Sequence, residues 1–288
     1  MMNGILNVYK PQNISSNSVV VKIKKVLGIN KVGHTGTLDP LACGVLPICI
    51  GSATKISEYL IEKDKTYKVK LKFGILTDTY DFEGKILKQD FNFKIDEKKL
   101  NCILNNFVGE YEQIPPNFSA VKINGKRAYV LARAGESFEI KPRKVKIYSI
   151  NNVDVTDDEC CFIVKCSKGT YVRSLCKDIG EALGTYGTMS FLERIESGQF
   201  KKCNSINFEN LCVENISQNL IKIDKVLNFP KLKVDNHEFL KLILNGVCVK
   251  NPKYIGDVVC GKYFLYYGEE LKGICERKSD FLKVIKIF

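Results

Sequence analysis

The segment from Thr66 to Phe73 constrains the fold most tightly, because apolar and lysine side chains alternate along it without interruption. One face carries Tyr67, Val69, Leu71 and Phe73, and the other carries Lys68, Lys70 and Lys72. This period of two predicts a half-buried β-strand. Tyr67 begins the buried face, so its ring is predicted at a sheet end, either packed in the core or forming the floor of a pocket.

Other segments have helical spacing, which makes the chain a mixture of helices and strands. Apolar residues recur between the polar run Ser15–Ser18 and Gly28, and again between Thr170, a predicted cap, and Gly184. A further helix is predicted over residues 52–61. The pattern changes after about Asn228, where a helix over 237–244 and strands over 262–267 and 281–288 predict a small β-rich module. Together these patterns predict a mixed α+β fold.

The run GHTGTLDPLACGVLP, residues 33–47, places one carboxylate, Asp39, among glycines, prolines and apolar residues. Pro40 biases Asp39 toward an extended conformation, and the neighbouring leucines favour the interior. Asp39 is therefore predicted at the edge of a core, where a carboxylate needs a cationic partner or its pKa rises. An Asp-Pro turn with ordinary turn chemistry is the alternative interpretation.

Arg173 is the predicted partner of Asp39. It lies with Tyr171 at the start of a predicted helix, where a cation opposes the positive end of the helix dipole unless an anion compensates. The chain has 38 lysines and only 6 arginines, so arginine is not its usual basic residue. A planar guanidinium can bind a carboxylate or phosphate bidentately, which is a reason for arginine in place of lysine at position 173. An unpaired surface arginine remains the alternative.

The charge of the chain indicates a polyanionic partner. Forty-four basic against 32 acidic residues give a net charge of +12 and a pI near 9.0. Residues 114–146 contain eight basic and two acidic side chains, together with Phe118 and Tyr129, aromatic residues able to stack on bases. Asn124-Gly125 within the segment predicts a turn. We interpret this cluster as a nucleic-acid contact, with a solvated basic face as the alternative.

Several chemistries are disfavoured by what the sequence lacks. Its 12 cysteines form no C-x-x-C pair and only two histidines are present, so zinc spacing is absent. No G-x-x-x-x-G-K-[ST], G-x-G-x-x-G or H-E-x-x-H motif occurs. There is neither a signal-peptide pattern nor an apolar stretch long enough to span a membrane. We therefore expect a cytoplasmic protein whose cysteines are reduced.

Six sequence blocks occur in an order that resembles the bacterial TruB-type tRNA pseudouridine-55 synthases. They are LNVYKPQNISSNS near the start, the Asp39 run, KTYKVKLKFG, TDTYDFEG, SAVKINGKRAY and SKGTYVRSLCKDIG. The resemblance covers most of residues 5–200 and fades afterwards. It implies a pseudouridine-synthase fold, with a central, mostly antiparallel mixed sheet flanked by helices. The catalytic domain would occupy residues 1–228, with a basic RNA-clamping insertion at about 114–146, and a small PUA-like RNA-binding domain residues 229–288.

The resemblance also implies an activity. The protein would isomerise the uridine at position 55, in the T-loop of tRNA, to pseudouridine by flipping the base and exchanging the glycosidic bond. No oxidation or net hydrolysis occurs, so neither a cofactor nor a metal is expected. The expected partner is the T-arm stem-loop of tRNA, bound by a monomer.

Roles for individual residues follow from the resemblance. Asp39 would act as nucleophile, or as base in a glycal route, and Arg173 would keep it ionised. Tyr171 would help remove the C5 proton, Tyr67 would stack on the target base, and Leu192 would contact it from the pocket wall. Because residues at i and i+2 do not share a helix face, Tyr171 should lie at or just before the first turn.

Further residues would contact the RNA. His34 would enter the RNA loop as the base leaves its stack, which offsets part of the cost of extrusion. Lys10, followed by Pro11, would form a basic turn near the site, and Asp78 is equally consistent with a structural or a functional role. The RNA backbone would be contacted by Lys122, Lys126, Arg127, Arg143 and Lys144.

Two other functions remain open at this point. The first is a pseudouridine synthase that acts on another RNA, including the guide-RNA-dependent type. The second is a non-catalytic RNA-binding or RNA-folding protein on the same scaffold. The intact set of Asp39, Tyr67, Tyr171 and Arg173 argues against a loss of chemistry.

Overall fold

A computed structural model describes residues 2–251 and 255–288 of the chain. Its helices are α1 (Ser16–Leu27), α2 (Ser57–Ile61), α3 (Glu97–Asn106), α4 (Ala128–Arg133), α5 (Val172–Leu183), α6 (Val213–Gln218) and α7 (His237–Leu244). Its strands are β1 (Gly4–Lys10), β2 (Val32–His34), β3 (Cys43–Ile50), β4 (Lys65–Phe73), β5 (Ile75–Thr77), β6 (Ile86–Gln89), β7 (Gly109–Gln113), β8 (Lys122–Ile123), β9 (Lys126–Arg127), β10 (Arg143–Val155), β11 (Glu159–Cys166), β12 (Gly187–Ser197), β13 (Phe200–Lys201), β14 (Ile206–Asn207), β15 (Lys231–Val234), β16 (Gly261–Tyr267), β17 (Glu270–Arg277) and β18 (Leu282–Ile287). Short 3-10 helices cover Gly51–Ile56, Lys202–Asn204, Phe208–Asn210 and Ile223–Lys225.

The main sheet has ten strands. Eight of them follow the order β14-β1-β3-β12-β4-β11-β10-β7, while β13 pairs with β12 and β2 pairs with β3. Neighbouring strands are antiparallel except β1 with β14 and β3 with β12, which are parallel. The predicted central sheet, mixed but mostly antiparallel, is confirmed.

A second sheet of four strands, β15-β16-β17-β18, lies in the C-terminal part of the chain. Its first pair is parallel and the other two pairs are antiparallel. The helix predicted over 237–244 is α7, and the two predicted strands correspond to β16 and β18 within one residue at each end. The prediction of a β-rich C-terminal module is confirmed.

The ends of α1 agree with the sequence signals, whereas the helix predicted over 52–61 is divided. The Ser15 hydroxyl accepts a backbone N–H at the start of α1, and Gly28 ends the helix with a φ of 64°. The second segment begins as a 3-10 helix over Gly51–Ile56 and becomes α-helical only at Ser57. The N-cap residue of this 3-10 helix, Ile50, makes no side-chain capping bond, and Oδ1 of Asn3 instead accepts from the backbone N–H of Ser52 at 2.8 Å.

The start of α5 differs from the prediction by one residue. The N-cap position is occupied by Tyr171, whose side chain makes no capping bond. The Thr170 hydroxyl instead donates to the carbonyl of Ser167 at 2.9 Å, closing the preceding turn. The predicted Thr170 cap is therefore wrong, while the predicted end at Gly184, with a φ of 86°, is confirmed.

The main hydrophobic core lies between the ten-stranded sheet and helices α1, α3 and α5. Its buried members include Val19, Ile23, Leu46, Ile48, Val69, Leu71, Leu100, Leu104, Leu175 and Ile179. The four apolar side chains of β4 all belong to it, as the alternating pattern predicts. Within the described residues, no helix is long and apolar enough to cross a membrane.

The second sheet packs against the first rather than standing apart. Ile5 on β1 and Val45 on β3 point away from the main core and join a second cluster with Phe264 on β16 and Ile274 on β17. All four side chains are essentially inaccessible to solvent. The two sheets therefore share a hydrophobic interface.

Candidate active site

Residues 35–42, which we name the Asp39 loop, join β2 to β3. The carbonyl of Asp39 accepts a hydrogen bond from the backbone N–H of Ala42 at 3.1 Å, which closes a turn with Pro40 at its second position. Leu38 and Ala42 are buried, while the Asp39 side chain is 36% exposed. The prediction that Asp39 lies at the edge of a core is confirmed.

Side chains near the N-terminus hold the backbone of the Asp39 loop. The buried hydroxyl of Ser16 accepts from the N–H of Leu38 at 2.8 Å and donates to its carbonyl at 2.9 Å. The side-chain amide of Gln12 donates to the carbonyl of Leu41 at 2.8 Å. Both residues that flank the Asp39-Pro40 pair are thereby fixed.

Lys10 lies beneath the Asp39 loop and is completely buried. Its ammonium donates to the carbonyls of Ile14 at 2.7 Å, Pro11 at 2.9 Å and Pro40 at 3.3 Å. Burial lowers the pKa of Lys10 to about 8. Because this ammonium has no access to the surface, the geometry does not support the predicted substrate contact and instead assigns Lys10 to holding the loop.

Arg173 joins three separate segments of the chain. Its Nε lies 3.0 Å from Oδ2 of Asp39, and its Nη1 lies 3.4 Å from Oδ2 of Asp81. Nη1 also donates to the carbonyl of Thr79, and Nη2 to that of Phe118, both at 3.1 Å. The predicted ion pair with Asp39 is present, and the two carboxylates compensate the cation at the helix start.

Asp81 was not singled out from the sequence, although its segment TDTYDFEG was. Asp78, the acid considered there, accepts from the backbone N–H of Lys85 at 2.8 Å and stabilises the turn. Asp81 is 2% exposed and is the carboxylate that reaches the guanidinium. The sequence held no reliable signal for this acid, since Phe82, which follows it, is itself exposed.

A second buried arginine, Arg194 on β12, was also missed. It is 1% exposed. Its Nε donates to the carbonyl of Val45 at 2.7 Å, and its Nη2 donates to that of Gly36 at 3.1 Å. The scarcity of arginine that drew attention to Arg173 applies equally to Arg194, so the sequence did contain a signal for it.

These groups lie in a cleft of about 860 Å³. Its lining includes Asp39, Tyr67, Asp81, Tyr171, Arg173, Leu192 and Arg194. Tyr67 and Leu192 are largely buried in adjacent strands, and burial raises the pKa of the Tyr67 hydroxyl. The backbone of Tyr171 is held on both sides by the Gln113 amide, at 2.8 and 3.1 Å. Its predicted place just before the first turn of α5 is confirmed.

The basic segment 114–146 contributes to one rim of the cleft. Arg133, Arg143 and Lys144 are exposed and belong to its lining. The carbonyl of Phe118, from the same segment, accepts the hydrogen bond from Arg173. Two of the five residues predicted to contact the RNA backbone, Arg143 and Lys144, are thus at the cleft.

The other three predicted backbone contacts lie on the β8–β9 hairpin, outside the cleft lining. The hairpin turns at Asn124-Gly125, both with positive φ, as predicted. Lys122 and Lys126 are exposed. Arg127 donates to the carbonyl of Ala120 at 2.6 Å and thereby holds the hairpin to the cleft wall.

His34 ends β2 and lies just outside the cleft lining. Its Nδ1 accepts from the backbone N–H of Gly36 at 3.4 Å. Burial, followed by the charge of Arg194, lowers the pKa of the imidazole. The ring is therefore held in its neutral, planar form beside the site.

The arrangement suits carboxylate chemistry on a planar ring. The Asp39 carboxylate is open to the cleft, and the guanidinium of Arg173 pairs with only one of its two oxygens. The carboxylate can therefore serve as nucleophile or base. The aromatic and apolar walls formed by Tyr67, Tyr171 and Leu192 match the faces of a heterocycle. Across residues 2–251 and 255–288, no group of three or more His, Cys, Asp or Glu side chains is arranged to hold a metal ion.

Comparisons with known proteins show what the chain is similar to. Residues 24–172 match the model of the family described as TruB family pseudouridylate synthase (N terminal domain). Residues 173–227 match the one described as tRNA pseudouridylate synthase B C-terminal domain. The chain is 47% identical over 289 residues to tRNA pseudouridine synthase B of Clostridium novyi (strain NT), covering 99% of each chain. It is 44% identical over 290 residues to the protein of that name in Clostridium kluyveri, covering 100% of each.

Solved structures share the fold. A chain in the structure described as "Crystal Structure of a Cbf5-Nop10-Gar1 Complex" superposes with a TM-score of 0.71 at 25% identity, covering 99% of this chain and 84% of that one. A chain in "Structure of H/ACA RNP bound to a substrate RNA containing 2'-deoxyuridine" superposes with a TM-score of 0.70 at 23% identity, with the same coverage. These likenesses concern the fold alone.

Proposed function

The chain belongs to the TruB family of pseudouridylate synthases and is a tRNA pseudouridine synthase; from this premise we propose that its target is uridine 55, in the T-loop of tRNA. The observation that carries the proposal is the 3.0 Å contact between Asp39 and Arg173 in a cleft with aromatic and apolar walls. A target held in a T-loop must be extruded before its base can enter such a cleft. The exposed cations at the rim suit the phosphates of that loop.

Asp39 is the reacting acid in this proposal. The N1–C1′ bond breaks, the uracil turns while it remains bound, and C5 joins C1′; C5 then loses its proton and N1 gains one, so the composition of the nucleoside is unchanged. Because Arg173 holds Oδ2, Oδ1 is the oxygen that we assign to the uridine. It acts as nucleophile, or as base in a glycal route, and both routes require the ionised carboxylate.

The remaining side chains of the cleft bind and orient the uridine. Tyr67 stacks on the extruded base, and Leu192 closes the opposite wall. Tyr171, beside Arg173 at the start of α5, assists removal of the C5 proton. His34, held neutral by its surroundings, enters the RNA loop and fills the space that the base leaves.

RNA binding is divided among several surfaces. Arg143 and Lys144 contact phosphates at the cleft rim, while Lys122, Lys126 and Arg127 extend that contact along the β8–β9 hairpin. We assign residues 1–228 to a catalytic domain and residues 229–288 to a PUA-like RNA-binding domain. We further propose that the protein acts in the cytoplasm as a monomer on the T-arm.

Incubation of the protein with a T-arm stem-loop, without added metal or nucleotide, tests this function. Pseudouridine is expected at the single position that corresponds to uridine 55, as mapped by chemical labelling and primer extension. A stem-loop with cytidine at that position is the matched control. Pseudouridine at another uridine, or its absence from both RNAs despite binding, would contradict the proposed target.

Replacement of Asp39 by Asn tests the assignment of the reacting acid. Asp39→Asn is expected to abolish pseudouridine formation, because an amide can act neither as nucleophile nor as base here. Binding of the stem-loop should stay within about tenfold of the original, because affinity comes mainly from phosphate contacts. Pseudouridine formation by the purified variant would remove Asp39 from its role.

A further inference from the structure

Arg194 takes no direct part in the proposed chemistry. It is 1% exposed, and it belongs to the cleft lining although its side chain runs beneath the Asp39 loop. Its two hydrogen bonds go to the carbonyls of Gly36 and Val45. These acceptors lie three residues before and six residues after Asp39, so one planar group fastens both ends of the segment that carries the acid.

The backbone of Arg194 is held as firmly as its side chain. It pairs with Gly44 on β3 and with Tyr67 on β4. At Gly44, whose φ is 110°, an added Cβ would lie only 2.3 Å from the carbonyl oxygen of Arg194. The close approach of β3 and β12 therefore fixes where the guanidinium begins, and rigid strands make more precise sites than loops do.

Arg194 also reaches the aromatic wall. Register places Arg194 directly opposite Tyr67 on β4, so the two side chains share one face of the sheet, and both line the cleft. The charge of Arg194 opposes the rise that burial causes in the pKa of the Tyr67 hydroxyl. Arg194 therefore lies beside Tyr67 while its guanidinium holds the Asp39 loop.

The two buried arginines differ in their partners. Arg173 is paired with two carboxylates, whereas none of the ion pairs formed by the described residues includes Arg194. A buried cation without a carboxylate is costly unless its donors are satisfied. Lys10 is a second cation of this kind under the same loop, but its contacts run to Pro11, Ile14 and Pro40 and leave Tyr67 untouched.

We propose that Arg194 is a positioning residue of the isomerisation, which holds the Asp39 loop and the Tyr67 ring at a fixed separation around the uracil. This inference rests on the proposed function. A guanidinium is needed because its rigid, planar fork fixes the directions of the bonds to the carbonyls of Gly36 and Val45, whereas a lysine ammonium on its flexible stem does not. Loss of Arg194 displaces Asp39 relative to the uracil, while the contacts to the RNA phosphates remain.

Arg194→Lys, which keeps the charge and loses the planar fork, is the decisive variant. With the T-arm stem-loop, kcat should fall by about 100-fold, the cost of an ångström-scale misplacement, while the Kd for RNA changes by less than about threefold because the phosphate contacts remain. Lys22→Met is the matched comparison, since it removes a half-buried ammonium that donates to the carbonyl of Phe208 at 2.7 Å, outside the cleft lining. An unchanged kcat for Arg194→Lys, or a fall in kcat that Lys22→Met reproduces, would overturn the proposal.

Tyr67→Phe provides a second measurement that does not depend on the folding of an Arg194 variant. It removes the hydroxyl on which the charge of Arg194 acts, and kcat should fall by about tenfold, the scale of one polar contact with a charged group. In the double variant of Arg194→Lys with Tyr67→Phe, the fall in kcat should be smaller than the product of the falls in the two single variants. Full activity of Tyr67→Phe, or strictly multiplicative losses, would exclude the coupling. Activity of the unaltered protein on the same RNA keeps this outcome distinct from a failure of the proposed function.

Discussion

The guanidinium of Arg173 shares its charge between two carboxylates that differ in their contact with water. The side chain of Asp81 is 3% exposed, whereas that of Asp39 is 36% exposed. A carboxylate removed from water depends on its cation far more than one at the surface of a cleft. We therefore interpret Asp81 as the residue that orients Arg173, which leaves Asp39 to face the substrate.

Asp81→Asn should separate these two roles. It leaves a buried guanidinium with one carboxylate fewer, and we expect a loss of about 3 kcal/mol in the free energy of unfolding. Since the guanidinium then turns from Asp39, kcat should fall more than KM rises. Urea unfolding and steady-state kinetics measure the two effects. Asp78→Asn is the control in the same turn, and equal losses for both variants would argue against the interpretation.

His34 makes the stability of the protein depend on pH in a defined direction. Its pKa in the folded protein is below the ordinary value of 6.5, so the unfolded chain binds the proton more readily. The stability contributed by the neutral ring is present above pH 6.5 and is lost as the pH falls below that value. His34→Gln should reduce the loss of stability between pH 7 and pH 5.

Nuclear magnetic resonance can follow this titration directly, because the chain has only two histidines. The imidazole signal that disappears in His34→Gln should titrate below pH 6.5. A titration midpoint at or above that value would contradict the predicted shift.

At the scale of elements, the site depends on the parallel contact between β3 and β12. Register pairs Glu193 with Cys43 and Arg194 with Gly44. A residue with a Cβ at position 44 has no space there, and the left-handed φ disfavours it further. The contact places Arg194 under the Asp39 loop that precedes β3.

Gly44→Ala is expected to lower the free energy of unfolding by about 3 kcal/mol through backbone strain and steric overlap together. Gly28→Ala is the matched control, since its φ of 64° is also positive but its added Cβ meets no atom within 4 Å. That control should cost only about 1 kcal/mol. Chemical denaturation measures both, and similar values would show that β3 can shift away from β12.

The elements that the sequence predicted well are those with local signals. The alternation in β4, the Ser15 cap and the glycines at positions 28 and 184 depend only on neighbouring residues. The Thr170 cap failed because the Gln113 amide holds both the N–H and the carbonyl of Tyr171, which occupies the N-cap position one residue later. Gln113 lies more than fifty residues away in the chain, so no local pattern contains this contact.

The same limit applies to the site. The ion pair of Asp39 with Arg173 was predicted because each residue is anomalous in its own segment. Asp81 could not be distinguished from Asp78, because its position is set by a bridge to Met189, more than a hundred residues away. Lys10 looked like a substrate ligand until its three carbonyl partners were known.

For the whole molecule, the excess of positive charge should make RNA binding strongly dependent on salt. Each neutralised phosphate contributes about 0.7–0.9 to the slope of log affinity against log salt concentration. Replacing Lys122 and Lys126 together by Gln should therefore reduce the slope by about 1.5 and raise KM more than it lowers kcat.

Binding titrations at several salt concentrations, with kinetics on the T-arm stem-loop, test this prediction. Lys98→Gln, which alters an exposed lysine on α3 outside the cleft lining, is the control and should leave the slope nearly unchanged. A flat salt response of the original protein would count against the basic segment as an RNA contact. A fall in kcat without a change in KM would mean that the hairpin organises the cleft.

The hydrophobic interface between the two sheets has a consequence for protein engineering. Phe264 and Ile274 are covered by Ile5 and Val45 from the first fifty residues. The C-terminal unit therefore does not bury these two side chains by itself. A chimera that grafts residues 229–288 onto an unrelated enzyme would transplant one half of a core and leave the other behind. A donor segment intended to fold after such a transfer would have to bring β1 and β3 with it, or carry polar replacements on the uncovered strands.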